Sequence, residues 1–397
     1  MDIAGLLSDQ AQAFIHQYQC LNPSDLMLSK KCPDGVLLRE LVQQIKGRQI
    51  AQSKIPNWYT TPGILFGESK SLEQCSSEKT ASYKQRLISG TTLVDLTGGL
   101  GVDSYFLGTQ FSRVDYVEPD PLLCKLAENN FKALKAHHIR VVCQTAEGYL
   151  KDLSNPVDWV YIDPDRRTAG RRQHQIQDCR PRVDDLLTEI LRRTNQVMIK
   201  FSPMLDIRNA INALGQVKAV HVVSIRNQCK ELVFLIQKGY QGELEMTAAN
   251  FTPEDRLHLV TYGITEEVNA KCSFSAPSHY LYQPNASLMK LGAFKLICQR
   301  YQVSKLHPNS HLYTSRTLVS AFPGRTFKVQ WTSDYKPRQI TSRLPSKANV
   351  TVRNFITDEK SIRKACKLAD GGDDYLFATT GPDGKPLIIN GQRHLPG

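Results

Sequence analysis

Nowhere in its 397 residues does the chain string together the ~18 apolar residues that a membrane span needs. Its start, Met1-Asp2-Ile3-Ala4-Gly5, lacks the basic segment and apolar run of a secretory leader. A soluble, cytoplasmic protein is therefore expected. None of the ten cysteines falls into a Cys-x-x-Cys pair. The pattern suggests neither a zinc ribbon nor a disulfide framework, and the thiols read as reduced and mostly buried. His307 and His311 stand four apart, but Pro308 argues against a shared helix face and no third ligand is evident, so no metal is expected. There is no Gly-Lys-Ser/Thr, which excludes a P-loop, and no Gly-x-Gly-x-x-Gly dinucleotide fingerprint. Hydrophobic residues at 41% and charged residues at 22% exclude a disordered or fibrous chain. At roughly 100–200 residues per domain, the length allows two to four domains.

Acidic residues are nearly missing from one stretch. Residues 268–357 hold thirteen Lys/Arg and one acid, Asp334. The whole chain has 50 Lys+Arg against 38 Asp+Glu, a net +12, so this segment carries all of the excess and the remainder is neutral. Aromatic residues, Tyr280, Tyr313, Phe327 and Trp331 among them, are interleaved with the cations. Cations beside stacking side chains suit a polyanion, because released counterions drive phosphate binding. The plainer alternative is that the aromatics are core and the lysines only keep the fold soluble.

Up to about residue 60 the apolar positions recur at helical spacing, as in Val36, Leu37, Leu41, Val42 and Ile45. From residue 91 short β-rich runs alternate with helical stretches. The runs cover 92–96, 114–118, 140–143, 159–163, 197–201, 219–224 and 232–237; helices are expected over 121–136 and 182–194. This alternation predicts a mostly parallel sheet that binds ligands at the carboxyl ends of its strands. Past about residue 238 the pattern is mixed α and β. A turn is expected over 370–374 before a strand at 375–379, and a hairpin turn at Pro382-Asp383-Gly384.

The first run leads into Asp95-Leu96-Thr97-Gly98-Gly99-Leu100-Gly101-Val102-Asp103, a glycine loop between strand and helix that lets the backbone approach a ligand. Glu118 ends the next run, where a carboxylate can accept both hydroxyls of a ribose. Asp163-Pro164 ends the fourth. With these motifs residues 73–238 resemble class I S-adenosylmethionine-dependent methyltransferases. The resemblance implies that Asp95, Gly99 and Gly101 touch the methionine end of S-adenosylmethionine, with Thr97 and Asp103 beside them, and that Glu118 holds its ribose. Thr145 stands where the family usually has an adenine-binding acid, which turns attention to Ala146 and Glu147. The stretch 73–81 is similar to the helix leading into the trimethylguanosine synthases, implying that Ser77 and Glu78 close over cofactor or substrate; a plain helix cap is the alternative.

Nucleic-acid amino methyltransferases show Asp/Asn-Pro-Pro-aromatic at the fourth strand end. Here Asp163 and Pro164 are followed by Asp165 and Arg166, so the stacking ring is missing. The place of a nucleophilic cysteine after the fifth strand reads Lys200-Phe201-Ser202-Pro203, which argues against covalent carbon methylation. Asp163, Pro164, Asp165 and Arg166 are the candidate catalytic residues, Asp163 orienting the acceptor and also a candidate cofactor contact. Lys200 and Phe201 are placed to flank the acceptor. Arg167, Arg171 and Arg172 continue a run of arginines suited to phosphate, unless acids such as Asp184 and Asp185 pair with them. Cys179 and Cys229 read as incidental thiols.

Farther on, residues 280–286, 305–315 and 322–325 resemble a bacterial methyltransferase subgroup in which a ferredoxin-like segment and a THUMP-like domain follow the catalytic part. The expected organisation is an N-terminal helical region over 1–72, a Rossmann-like α/β methyltransferase domain over 73–238, a ferredoxin-like segment over 239–325 and an α+β THUMP-like domain over 326–397. THUMP domains recognise structured RNA, so RNA is the implied partner, with Lys305, Arg316, Arg325 and Lys328 as candidate contacts. The implied reaction is methylation of a ribosomal or transfer RNA base, a nitrogen acceptor favoured. Alternatives are a small-molecule or protein methyltransferase, and an RNA-binding protein that keeps the cofactor without turnover.

Overall fold

The structure is a computed structural model that describes residues 1–28, 32–33, 35–166, 176, 179–344 and 346–394. No described helix is long and apolar enough to cross a membrane. The chain divides into two compact units, Met1–Lys218 with Glu231–Gln241, and Ala219–Lys230 with Gly242–Gly397.

The strands in chain order begin β1 Thr92–Asp95, β2 Arg113–Glu118, β3 Ile139–Cys143, β4 Trp159–Ile162, β5 Asp165–Arg166, β6 Cys179–Arg180, β7 Gln196–Phe201, β8 Val217–Ile225 and β9 Gln228–Gln237. In the first unit β1 pairs in parallel with β2 and β4, β2 with β3, and β4 with β7; β9 closes against β7 antiparallel. Every β-rich run expected from the sequence is a strand. The runs are legible because a parallel sheet is covered on both faces and so reads as unbroken apolar residues, as in Val160-Tyr161-Ile162 and Val197-Met198-Ile199, all buried. Strand order reverses between β1 and β4, which opens a crevice at their carboxyl ends.

The N-terminal helices belong to this unit. Asp9–Tyr18 and Leu38–Lys54 pack Phe14, Ile15, Leu41, Val42 and Ile45 around Leu65 and Leu126. The extended segment at Leu65 and Phe66 has its backbone matched by buried amides. Gln44 accepts from the Phe66 N–H (2.8 Å) and donates to its carbonyl (2.9 Å), and Asn130 does the same for Leu65 at 2.9 and 2.8 Å. Each amide satisfies one backbone donor and one acceptor that burial would otherwise leave unpaired.

In the second unit β8 pairs in parallel with β10 (Glu245–Phe251), which pairs antiparallel with β11 (Leu257–Gly263). A separate sheet follows, built from β12 Tyr280–Pro284, β13 Ser304–Lys305, β14 Tyr313–Ser315, β15 Gly324–Asp334, β16 Asn349–Arg353, β17 Asp374–Thr380 and β18 Pro386–His394, in the order β13-β14-β12-β15-β18-β17-β16. Helices Pro337–Arg343 and Glu359–Cys366 bury Ile340 and Ile362 with Leu376 and Ile388. Leu281, Phe327, Phe377 and Ile389 form a second core with Leu306 and Leu312. The turn at Pro382-Asp383-Gly384 joins β17 to β18 as expected, with Gly384 at φ +77°. The reading of the cysteines needs a correction: Cys20, Cys32 and Cys143 are exposed, and Cys272 and Cys298 stand side by side with Cα atoms 5.3 Å apart. The latter two are 26 residues apart and fit no short motif, so spacing alone did not reveal their closeness.

Candidate active site

At the end of β1 the chain turns through Thr97–Gly101. Gly99 and Gly101 adopt φ of +54° and +83°, a region open to glycine, and the left-handed Gly101 caps the helix Val102–Gly108. A Cβ at Gly101 would sit 2.7 Å from the Phe131 ring, and one at Gly98 2.2 Å from the Tyr116 ring. At Gly99 the nearest atom to such a Cβ, the Thr97 carbonyl oxygen, is 3.8 Å away, so this position is far less crowded than its neighbours. Glu118, at the end of β2, steadies the loop. Its carboxylate accepts the Gly99 N–H at 2.9 Å and the Asp120 N–H at 3.0 Å, while the Tyr116 hydroxyl donates to the Gly99 carbonyl at 2.5 Å.

Asp95 is buried beneath the loop, accepting from the Thr97 N–H (2.9 Å) and the Ser104 hydroxyl (2.5 Å). Burial pushes its carboxyl up to about 7, against the lowering effect of those hydrogen bonds. A raised folded-state value means the folded protein holds this proton more tightly than the unfolded chain. The associated stability is full below about pH 3.8 and is lost as pH rises towards 7. Denaturant titrations should therefore show wild type losing up to ~1.4 kcal/mol per pH unit relative to Asp95→Asn across that window. Parallel pH curves for the two proteins would refute the assignment.

Thr97 also reaches the next strand end. Its hydroxyl oxygen accepts the Asp163 N–H at 2.6 Å, so the glycine loop and the Asp163-Pro164 loop are joined. The Asp163 carboxylate is ion-paired with Lys200, from the end of β7. Lys200 is 7% exposed. Behind it lie Ser76, Lys84, Asp103, Tyr161 and Glu231. Lys84, fully buried, pairs with Glu231 at 2.7 Å and Asp103 at 3.1 Å. The Ser76 hydroxyl donates to Asp103 (2.7 Å) and accepts from Lys84 (2.9 Å) and Lys200 (3.4 Å); Tyr161 O–H donates to Asp103 at 2.7 Å. Three carboxylates thus share two ammonium groups. Burial opposes the Asp103 charge, but Lys84, Lys200 and the two hydroxyls outweigh it and hold the carboxyl below its ordinary value. Burial raises the Asp163 carboxyl despite Lys200.

Residues 280–323 match the ferredoxin-like domain family and residues 324–393 the THUMP-like one. A crystal structure of a protein assigned as a methyltransferase in Porphyromonas gingivalis W83 is similar to this chain, with a TM-score of 0.87 and 29% identity, over 99% of this chain and 98% of that one. Uncharacterized S-adenosylmethionine-dependent methyltransferases from Mycobacterium tuberculosis strains CDC 1551 and H37Rv are 23% identical over 336 residues, 83% of this chain and 88% of theirs. Along most of its length the chain is similar to S-adenosylmethionine-dependent methyltransferases. Its ferredoxin-like and THUMP-like domains follow the sheet that carries the site.

The sequence candidates fall into several groups. Asp95, Thr97, Gly99, Glu118 and Asp163 are joined by hydrogen bonds around the glycine loop that Gly101 ends, and Pro164 beside them is buried. Asp103 belongs instead to the buried ion network behind Lys200. Ser77 caps the helix Glu78–Gln85 by accepting from Thr80 N–H, and Glu78 accepts the Asn57 N–H at 2.8 Å. The Ser77 cap is the contact that the helix-cap alternative describes. Thr145, in the place of the usual acid, caps the helix Ala146–Asp152; Ala146 is buried and Glu147 exposed. Asp165 and Arg166 form β5, paired with β6. Arg167, Arg171 and Arg172 lie outside the described residues. Arg182 pairs with Asp184 and Asp185, at 2.6 and 3.0 Å.

Of the candidates for RNA contact, Arg316 and Lys328 are exposed. Lys305 is not: it is 4% exposed, its ammonium 2.5 Å from the Pro308 carbonyl oxygen and 5.2 Å above the Phe294 ring, and burial lowers it to about 8. A cation enclosed in this way cannot reach a phosphate, which corrects its assignment as an RNA contact. Arg325 is half-buried and donates to Gln283 at 2.6 Å. Sequence reasoning missed Ser76, Lys84, Tyr161 and Glu231. A lysine on the buried side of a short helix and a glutamate opening an apolar strand were the available signals.

Proposed function

We propose that this methyltransferase moves the methyl group of S-adenosylmethionine onto RNA, which it grips with its C-terminal unit. The crevice fits the donor. The glycine loop is uncrowded at Gly99, and Glu118 stands at the β2 end with lone pairs beyond those its two backbone donors use, suited to ribose hydroxyls. Bound there, the donor supplies an electrophilic methyl group. The protein's part is to place the acceptor in line and take its proton.

The RNA reading rests on one observation above the others. Seven cations of the acid-poor segment, Lys271, Arg316, Lys328, Arg338, Arg343, Lys347 and Arg353, are exposed and make no ion pair among the described residues. Cations kept for solubility would be interspersed with acids, as they are elsewhere in the chain. The THUMP-like family match is in keeping with this. Incubating the protein with methyl-labelled donor and total RNA should label RNA, and label found only in protein or small molecules would overturn the reading. In binding titrations, changing Arg316, Lys328 and Arg353 together to Ala should weaken RNA binding ~10-fold or more and flatten the salt dependence by ~2–3 units of log–log slope.

A further inference from the structure

The Asp163–Lys200 pair has a donor and acceptor pattern that selects among acceptor atoms. We propose, on the reading that the substrate is RNA, that the atom methylated is the ribose 2′-hydroxyl oxygen, held between the Asp163 carboxylate and the Lys200 ammonium.

A hydroxyl has one O–H to donate and two lone pairs. Set beside this pair, its proton points to Asp163, one lone pair accepts from Lys200, and the second is left for the methyl carbon. An exocyclic base amine has two N–H donors and a single lone pair, which the reaction consumes. It would need two acceptors and would leave an ammonium unmatched. Lys200 has three N–H bonds; Asp163 and Ser76 take two, and a further acceptor, the Asp103 carboxylate at 3.9 Å, lies beyond hydrogen-bond reach. The ammonium is not free to swing away, because Ser76 also holds Lys84, which is anchored by Glu231 and Asp103. Burial alone would lower Lys200, but the carboxylates of Asp163, Asp103 and Glu231 keep it above its ordinary value and therefore charged. The sequence supplies the complementary absence. Asp165-Arg166 stand after Asp163-Pro164, so the chain has no ring there to stack on a base whose amino group is the acceptor.

In the step itself the hydroxyl oxygen's lone pair forms the new O–C bond to the methyl carbon. The S–C bond breaks with its electron pair retained by sulfur, converting sulfonium to thioether. The O–H proton passes to the Asp163 carboxylate and from there to water. Burial raises that carboxyl, which makes it a better proton acceptor than an ordinary carboxylate.

Alkaline hydrolysis reads the acceptor directly, because cleavage of RNA by base needs a free 2′-hydroxyl. Full-length protein, donor carrying a tritiated methyl group, and total RNA from cells lacking this gene are the reactants. The expected result is label in alkali-resistant dinucleotides. Label in mononucleotides would overturn the hydroxyl assignment while leaving RNA methylation standing; no label in RNA would overturn both. Lys200→Met should reduce transfer ~10²-fold or more with S-adenosylhomocysteine affinity within ~3-fold, and Lys200→Arg should restore part of it. Undiminished transfer by a folded Lys200→Met variant would also refute the proposal, and if that variant does not fold the alkaline assay decides alone.

Discussion

Replacing Lys84 with methionine is expected to cost about 3–5 kcal/mol of stability, the usual consequence of leaving a buried charge without its partner. Lys84 has no exposed surface, and it lies within 3.1 Å of two carboxylates, Glu231 and Asp103. Without it the buried carboxylates of Asp103 and Glu231 and the half-buried one of Asp163 would face a single ammonium, Lys200. At ~2–4 °C per kcal/mol the melting temperature should fall by roughly 6–20 °C. The direction with pH follows from Asp103. Its folded-state value is depressed below 3.8, so the stability it contributes is present above that pH and is lost as pH falls through the folded value. The gap between wild type and Lys84→Met should therefore narrow in acid. Adding Glu231→Gln to Lys84→Met should recover part of the loss. A melting temperature within ~2 °C of wild type would show that the network tolerates the vacancy.

Asp163→Ala is expected to reduce methyl transfer by ~10²–10⁴-fold, the range for loss of a positioned proton acceptor, while S-adenosylhomocysteine binds within ~3-fold of wild type. The separation is possible because the contact between Asp163 and the glycine loop is made by its backbone N–H, which alanine keeps. Calorimetry on the variant measures the binding and a labelled-methyl assay the transfer. Asp163→Asn should fare little better, because a neutral amide can neither take the proton nor balance Lys200. Full activity in either variant would remove Asp163 from the chemistry.

The parts of the site that could be read from sequence are those written in consecutive residues. Asp95 to Gly101, Glu118 at a strand end and Asp163-Pro164 each sit in a local pattern whose geometry repeats wherever a parallel strand meets a loop. Lys84 and Glu231 are 147 residues apart and meet only because β9 turns back antiparallel beside β7. No local signal states that pairing; a buried lysine looks like any other until its partner is placed. Lys305 failed for the converse reason. Charge was legible in the sequence, exposure was not, and the loop bearing Pro308 folds over its ammonium. The Asp163–Lys200 pair lies between the two cases. Both residues stand at ends of expected strands, but their contact, and with it the match to a hydroxyl, emerged only when those strands became neighbours.

The amides Gln44 and Asn130 give the N-terminal helices a standing that their place ahead of the first strand conceals. They grip adjacent residues, Gln44 holding Phe66 from the helical region and Asn130 holding Leu65 from the helix after Glu118. A shortened protein that begins at residue 73 would take from Asn130 its two bonds to the Leu65 backbone and strip the apolar cover from Leu126. The first 72 residues are thus no detachable preface: whoever trims this enzyme for crystallisation or grafts its sheet onto another chain must carry them along.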